Sequence, residues 1–355
     1  MRNYRFWLGV VVSLLFLFLF LYRTDFSEMG RAFSRANYTF LVPAVLVYFV
    51  GVWFRAMRWR YLLMPLKAVP SRRLFPTVVI GYMANDVLPL RAGELVRCYL
   101  LGAKEGVSKT AVLATIFVER VFDGLALLFF LALISLFVPF EDWLRDTARV
   151  MGLLFVGALV VFSAVASSEK RVQGLANILL PFLPARLREK VIGLLSLFLG
   201  GLASLRSPGM LLGVFLTSLL AWLAEAAMYY IIGFSFELGQ PFYVYLTTTA
   251  VANLAITLPS SQGGIGPFEF FGARTLGLFG VAEGLSMAYI LVLHAALLLP
   301  VTLLGFVYLW LENMSLSSVV RRENVSGISA APDALSLPLE GRAKKWGSGG
   351  HSVEK

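Results

Sequence analysis

NDVLPLRAGELVR (Asn85 to Arg97) and NLAITLPSSQGGIGPFEF (Asn253 to Phe270) interrupt two otherwise apolar stretches, Leu74 to Leu101 and Pro241 to Gly280. Each break sets an Asn ahead of a Leu-Pro step (Leu88-Pro89, Leu258-Pro259), follows it with glycine, and then places a Glu, Glu94 or Glu269, where a new helix opens. Proline removes a backbone donor and clashes with the preceding turn, so neither stretch reads as one unbroken helix. Non-helical backbone inside a bilayer is tolerated only where protein or water satisfies its polar groups. Both breaks are therefore expected to be buried or to line a cavity. The plainer reading is that Pro and Gly kink two ordinary spans, since both residues are frequent in membrane helices.

The rest of the chain makes the bilayer the relevant solvent. Of 355 residues, 58% are hydrophobic and 15% charged, a balance that a soluble domain does not need. About 20 mostly apolar residues cross the hydrocarbon. Six stretches are read as spans: Phe6 to Tyr22, Tyr38 to Met64, Val107 to Phe140, Ala148 to Ala166, Pro208 to Phe236 and Leu285 to Leu311. The expected fold is all-α and polytopic, with two re-entrant or broken segments added. The first span follows a basic start but no Ala-x-Ala-like site follows it, so it is read as a retained helix and not a cleaved signal.

The net charge of +10 is read as positive-inside anchoring and attraction to anionic headgroups, with no nucleic acid as partner. Cys98 is the single cysteine and the histidines are His294 and His351, which excludes a disulfide framework and a Cys- or His-rich metal site. Arg2 and Arg5, the stretch Arg55 to Arg73 and the stretch Lys170 to Lys190 are basic, whereas Glu141 to Arg149 carries Glu141, Asp142 and Asp146. These biases predict cytoplasmic termini, a membrane domain over residues 1–312 and a disordered cytoplasmic tail over residues 313–355. In that topology the first break enters from the cytoplasmic side and the second from outside. The halves would be related by inversion, and interrupted segments at corresponding places in inverted halves point to a transporter's binding site.

Several side chains could carry the chemistry. Arg91, Glu94 and Arg97 recur at a spacing of three, and the planar fork of Arg suits a phosphodiester; a solvated face is the alternative for Arg97. In the second break Gly263, Gly264 and Gly266 permit close approach to a ligand, and Pro267 suits a first helical residue. That helix start offers free N–H groups to a phosphate, unless Glu269 caps them instead. Glu119, Arg120 and Asp123 sit within the third apolar stretch and Glu225 within the fifth. Four such residues facing lipid would cost roughly 10 kcal/mol, so they must face inward, lie near the interface or pair, with Arg120 and Asp123 one plausible pair. Arg55, Arg58 and Arg60, interleaved with Trp53 and Trp59, fit an aromatic belt with snorkelling arginines. His294, alone within the membrane, reads as a hydrogen-bonded packing residue, with a pH-dependent role as the alternative.

Taken in order, RAMRWRYLL (Arg55 to Leu63), N-x-x-x-P-x-R-x-G-E-x-x-R from Asn85 to Arg97, ER-x-x-D from Glu119 to Asp123 and P-x-x-x-GGIG-x-x-E from Pro259 to Glu269 resemble the flippase-like transmembrane domain of lysylphosphatidylglycerol synthases and its stand-alone relatives. The resemblance covers about Phe6 to Leu311. It implies lipid binding or translocation in the plasma membrane, with functional positions at Arg58, Asn85, Pro89, Arg91, Gly93, Glu94, Arg97, Glu119, Arg120, Asp123, Gly263, Gly264, Gly266 and Glu269. Two departures stand out. Only a short tail follows Leu311 where the bifunctional synthases carry a soluble aminoacyl-transferase domain, and Gln262 and His294 stand where the family often has Pro and Arg.

The expected ligand is thus an anionic phospholipid or a polyprenyl-phosphate-type lipid, without a cofactor. A separate synthase or transferase is a possible partner, and oligomers remain open. No Walker-type phosphate loop is present, so ATP hydrolysis is not expected of this chain. A membrane transferase using Glu94, Glu119 or Asp123 as base, and a scaffold presenting lipid to a separate synthase, are the alternatives.

Overall fold

The computed structural model describes residues 4–22, 25–88, 92–137, 207–257 and 261–312, with isolated positions 153 and 157. Pro89, Arg91, the predicted span Ala148 to Ala166, the charged stretches Glu141 to Arg149 and Lys170 to Lys190, and the tail 313–355 lie outside the described residues. Among the described residues the fold is all-helical, with no strand. The helices are α1 (Tyr4–Leu21), α2 (Phe26–Arg35), α3 (Leu41–Leu63), α4 (Ser71–Val87), α5 (Gly93–Glu105), α6 (Lys109–Ser135), α7 (Pro208–Ser235), α8 (Phe242–Ala255), α9 (Pro267–Leu278) and α10 (Glu283–Leu311).

The sequence punctuates these elements as local physics requires. α4 stops at Val87, and Leu88 turns to extended backbone (φ −92°, ψ 144°) because the following proline disfavours helical geometry there. α5 ends on Gly106, whose left-handed φ of 66° closes a helix at no steric cost. Asp25 caps α2 by accepting the amides of Ser27 and Glu28 at 2.9 and 3.0 Å. The Glu28 amide, first among these, holds the Asp25 carboxyl below the usual aspartate range.

Tyr38–Leu63, Pro208–Ser235 and Glu283–Leu311 are each long and apolar enough to cross a membrane. Trp7–Leu21 and Phe26–Arg35 meet that standard only together and are bent by 87°. α6 has the length but carries Glu119, Arg120 and Asp123 midway. Thus helices occupy five of the six predicted spans, although fewer pass on composition. By contrast α5, α8 and α9 have 13, 14 and 12 residues. At a rise of ~1.5 Å per residue they fall well short of a ~30 Å hydrocarbon core.

The two broken stretches are hairpins, which rules out the simple kink. A Cβ on Gly81 in α4 would meet Arg97 Cγ in α5 at 2.4 Å, so residues sixteen apart lie side by side. The ring of Tyr243 at the start of α8 lies 5.9 Å from that of Phe279 just after α9. Each hairpin follows a long helix (α3 or α7) and precedes another (α6 or α10). α3 and α7 run antiparallel: Arg55 meets Glu225, Arg58 meets Ser218, and Tyr61 lies against Gly213. α4 and α10 do the same, with Asp86 bonded to Thr302 and Met83 against Gly305. α6 in turn packs on α8, the element that corresponds to α4.

Candidate functional site

The two hairpin tips converge. The tight turn Gln262–Gly264 packs against α4, and between the breaks lies a cavity of about 570 Å³. That is within the ~300–1,000 Å³ usual for ligand sites. Its wall includes Tyr48, Arg55, Tyr82, Asn85, Asp86, Glu94, Arg120, Asp123, Gly124, Trp222, Glu225, Asn253 and His294. Leu127, Leu254, Ile256, Leu297 and Leu298 complete a mixed wall, whose charged groups favour an occupant with a polar end, because unpaired polar groups at membrane depth are costly.

One side is built on arginines. Arg97 donates from Nη1 and Nη2 to the two oxygens of Glu119, both at 2.9 Å, and its guanidinium lies 4.1 Å from the Trp59 ring centroid. Arg58 donates to Asp123 at 2.6 Å and to Ser218 at 3.1 Å, and lies 3.3 Å from Glu119. Arg55 donates to Glu225 at 2.6 Å and sits over the Trp222 ring. This corrects the belt reading of Arg55 and Arg58. They are 5% and 0% exposed and face acids on other helices, so they do not snorkel to an interface. Trp59 is likewise buried, donating to Thr115.

Arg120 is different. Its side chain keeps 40% of its exposure, and it reaches Glu119 at 2.9 Å, Asp123 at 3.4 Å and Glu94 at 3.7 Å. It is the partly free guanidinium on the cavity wall, with Glu94 the half-buried acid beside it. Arg97, by comparison, is 1% exposed and its two terminal nitrogens are taken by Glu119, so it supports the wall from behind. Four guanidiniums (Arg55, Arg58, Arg97, Arg120) thus face four carboxylates (Glu94, Glu119, Asp123, Glu225). The cluster is balanced, as charges withdrawn from water must be.

Each break is held by its own polar bonds. Asn85 accepts the amide of Gly93 at 2.9 Å, which ties the end of α4 to the first residue of α5. No other residue fits there, since a Cβ on Gly93 would lie 2.0 Å from Gly81 O. In the second break Gly263, Gly264 and Gly266 have φ of 69°, 77° and 100°, a region that L side chains rarely adopt. Glu269 accepts the Gly266 amide at 2.6 Å, so the helix start is capped from within. Its other oxygen meets His294 Nδ1 at 2.5 Å, and His294 Nε2 meets Gly263 O at 3.0 Å.

Three residues of this site went unassigned from sequence. Ser13, midway along α1, accepts the Ser261 amide and donates to Ile265 O, both at 2.7 Å. A lone serine in an apolar helix gives no local sign of such a partner. Asn253 donates to Glu225 at 3.0 Å. Asp86, inside the quoted break, accepts from Thr302 at 2.9 Å; standing beside Asn85 before the Leu-Pro step was its one signal.

An all-helical membrane chain with paired broken hairpins around a polar cavity is the class that this geometry defines. The chain belongs to the lysylphosphatidylglycerol synthase TM region family, which matches residues 6–305. It is therefore a multi-pass membrane protein. It is 26% identical to the glycosyltransferase AglD of Haloferax volcanii over 344 residues, which cover 88% of this chain and 55% of that protein. It is 25% identical to a UPF0104 membrane protein of Methanothermobacter thermautotrophicus, covering 86% of this chain and 92% of that one. A UPF0104 membrane protein of Pyrococcus horikoshii is 23% identical, over 79% of this chain and 90% of its own. No solved structure matches the chain.

Proposed function

We propose that this protein binds a lipid by its headgroup in the cavity between the two hairpins and carries it across the membrane. The observation that supports this most is the cavity itself, about 570 Å³ of space whose wall joins charged groups to apolar side chains, between helices too short to span hydrocarbon. The matching order of α3 to α6 and α7 to α10, with α3 antiparallel to α7, is what an inverted repeat would give. In such folds the substrate site lies where the interrupted segments meet.

A phosphate of an anionic phospholipid or polyprenyl-phosphate-type lipid would sit against Arg120, which is partly free, while Glu94 and Asp123 keep that guanidinium neutralised when the site is empty. Arg91, two residues before α5 in sequence, lies outside the described residues and is proposed from its sequence position alone to meet the same headgroup. Gly263 and Gly264 line the opposite side of the cavity, with the Gly263 carbonyl bonded to His294 and the neighbouring Gly266 amide to Glu269. The domain over residues 1–312 would lie in the cell membrane with both termini cytoplasmic.

The test is translocation of a fluorescent phosphatidylglycerol in proteoliposomes. Replacing Arg91, Glu94 or Arg120 by Ala should abolish it while the protein still folds, and unaltered rates would refute the assignment.

A membrane transferase with a lipid-linked donor is the second reading, favoured by the glycosyltransferase name of the Haloferax relative. Glu94 is the base candidate there, because Glu119 and Asp123 are held by two or more guanidiniums each. Product formed from a polyprenyl-phosphate donor by the purified chain would favour it. A scaffold for a separate synthase predicts instead co-purification with that enzyme, and loss of its activity on deletion.

A further inference from the structure

The hydrogen bonds around His294 require a definite number of protons. Gly263 O is a carbonyl and accepts only, so the Nε2 that meets it at 3.0 Å must carry hydrogen. Nδ1 lies 2.5 Å from Glu269 Oε1, a contact that needs one more proton between them, whether it resides on nitrogen or on oxygen. The pair therefore holds two protons: an imidazolium beside a carboxylate, or an imidazole beside a carboxylic acid. A neutral imidazole beside a carboxylate has one proton fewer. It must give up either the Glu269 contact or the Gly263 contact.

Both contacts fix the second break. Gly263 lies in the turn that packs against α4, and the other oxygen of Glu269 holds the Gly266 amide at the start of α9. The His294 ring is fixed by stacking on Phe268, with centroids 4.2 Å apart and planes 27° apart. Loss of the shared proton would thus release the hairpin tip from α10 without moving the ring first. The pair also opens onto the cavity, whose wall includes His294, Phe268 and Gly263.

The other charged groups on that wall are Arg55 on α3, Asp86 on α4, Glu94 on α5, Arg120 and Asp123 on α6 and Glu225 on α7. The two arginines are ion-paired with the three acids other than Asp86. Asp86 makes its bond to Thr302 on α10, two turns beyond His294, and among the described residues it is the carboxylate on that wall with no arginine partner, free to exchange a proton through the cavity.

We propose that His294 and Glu269 form a proton-binding site, and that its occupancy latches and unlatches the second hairpin so that a proton moves with each lipid carried. In the step, the proton between Nδ1 and Oε1 leaves to cavity water or to Asp86, leaving a neutral imidazole and a carboxylate; rebinding reverses it. The coupling rests on the translocation reading above, whereas the proton site itself does not.

Two measurements separate these. Nitrogen-15 histidine spectra of the His351→Ala protein in lipid nanodiscs report His294 alone. The expected result is a protonated Nε2, a strongly hydrogen-bonded Nδ1 and a pH-dependent change of the spectrum that Glu269→Gln alters. A neutral ring protonated at Nδ1, or no titration, would overturn the proton site. In phosphatidylglycerol vesicles with fluorescent phosphatidylglycerol as probe, one proton per lipid should change the steady-state asymmetry by up to about tenfold for each pH unit across the membrane. Whatever lipid movement His294→Gln or, should that fail to fold, Glu269→Gln retains should ignore the gradient, and a retained response to the gradient would overturn the coupling. Wild-type flipping indifferent to the gradient would overturn the coupling. Absence of flipping under every gradient would overturn the translocation reading and the coupling with it, while a titrating His294 would still support the proton site.

Discussion

Arg97 and Glu119 form a parallel, two-bonded pair at 2.9 Å and 2.9 Å, with side chains 1% and 0% exposed. The same carboxylate also faces Arg58 at 3.3 Å and Arg120 at 2.9 Å. One acid is therefore shared by three guanidiniums, Arg97 and Arg58 behind the cavity and Arg120 on its wall. Breaking a buried pair by removing one partner costs about 3–5 kcal/mol, because the remaining charge stays out of water. Glu119→Gln is expected to lose about that much, read as a large drop in thermal unfolding temperature in detergent. Arg97→Gln combined with Glu119→Gln should cost less than the two singles added, since contacting residues couple by about 0.5–3 kcal/mol.

Gly93 allows α4 and α5 to touch. With Gly81 O 2.0 Å and Asn85 Oδ1 2.6 Å from any Cβ there, Gly93→Ala forces the helices apart and strips the Asn85 bond. A cost of about 1–3 kcal/mol is expected for such overpacking, visible as reduced yield of monodisperse protein and a lowered unfolding temperature.

Gly124 gives the opposite result. It lies on the cavity wall, and a Cβ there meets nothing within 4 Å. Gly124→Leu should fold normally, gaining up to about 1 kcal/mol of helix propensity, yet occupy the headgroup volume. Lipid translocation should fall at least about tenfold if the filled volume costs binding about 1.4 kcal/mol, with the unfolding temperature unchanged or raised.

Ser13 ties α1 to the second break through its two 2.7 Å bonds to Ser261 and Ile265. Ser13→Ala leaves a partly buried amide and carbonyl without that partner, at about 1 kcal/mol. Hydrogen exchange should accelerate at the Ser261 amide and its neighbours in the Gln262–Gly264 turn, while α3 and α7 exchange as before.

Helices were legible because each long apolar stretch has one workable backbone conformation in a bilayer. The breaks were legible because each joins a Leu-Pro step to glycine and polar residues, whereas a lone proline such as Pro76 or Pro300 stays inside its helix. Local spacing likewise found Arg120 with Asp123, three residues apart. It could not find Arg55 with Glu225 or Arg58 with Asp123, separated by 170 and 65 residues. An Arg-Trp cluster at the end of an apolar helix looks the same whether it snorkels or is buried against an acid on another helix. The distinction lies in the antiparallel packing of α3 on α7, and no pattern within Arg55 to Leu63 reports it. Ser13 was hidden for the same reason: its partners are about 250 residues away. The double role of Glu269 was only half visible, its cap being local and its bond to His294 belonging to α10.

The most direct test of a headgroup site between the hairpins is native mass spectrometry of the protein extracted with its lipids, wild type against Gly124→Leu. The account predicts a stoichiometric phosphate-bearing lipid on the wild type that is lost from Gly124→Leu. Equal lipid occupancy on both proteins, or none on the wild type, would contradict it.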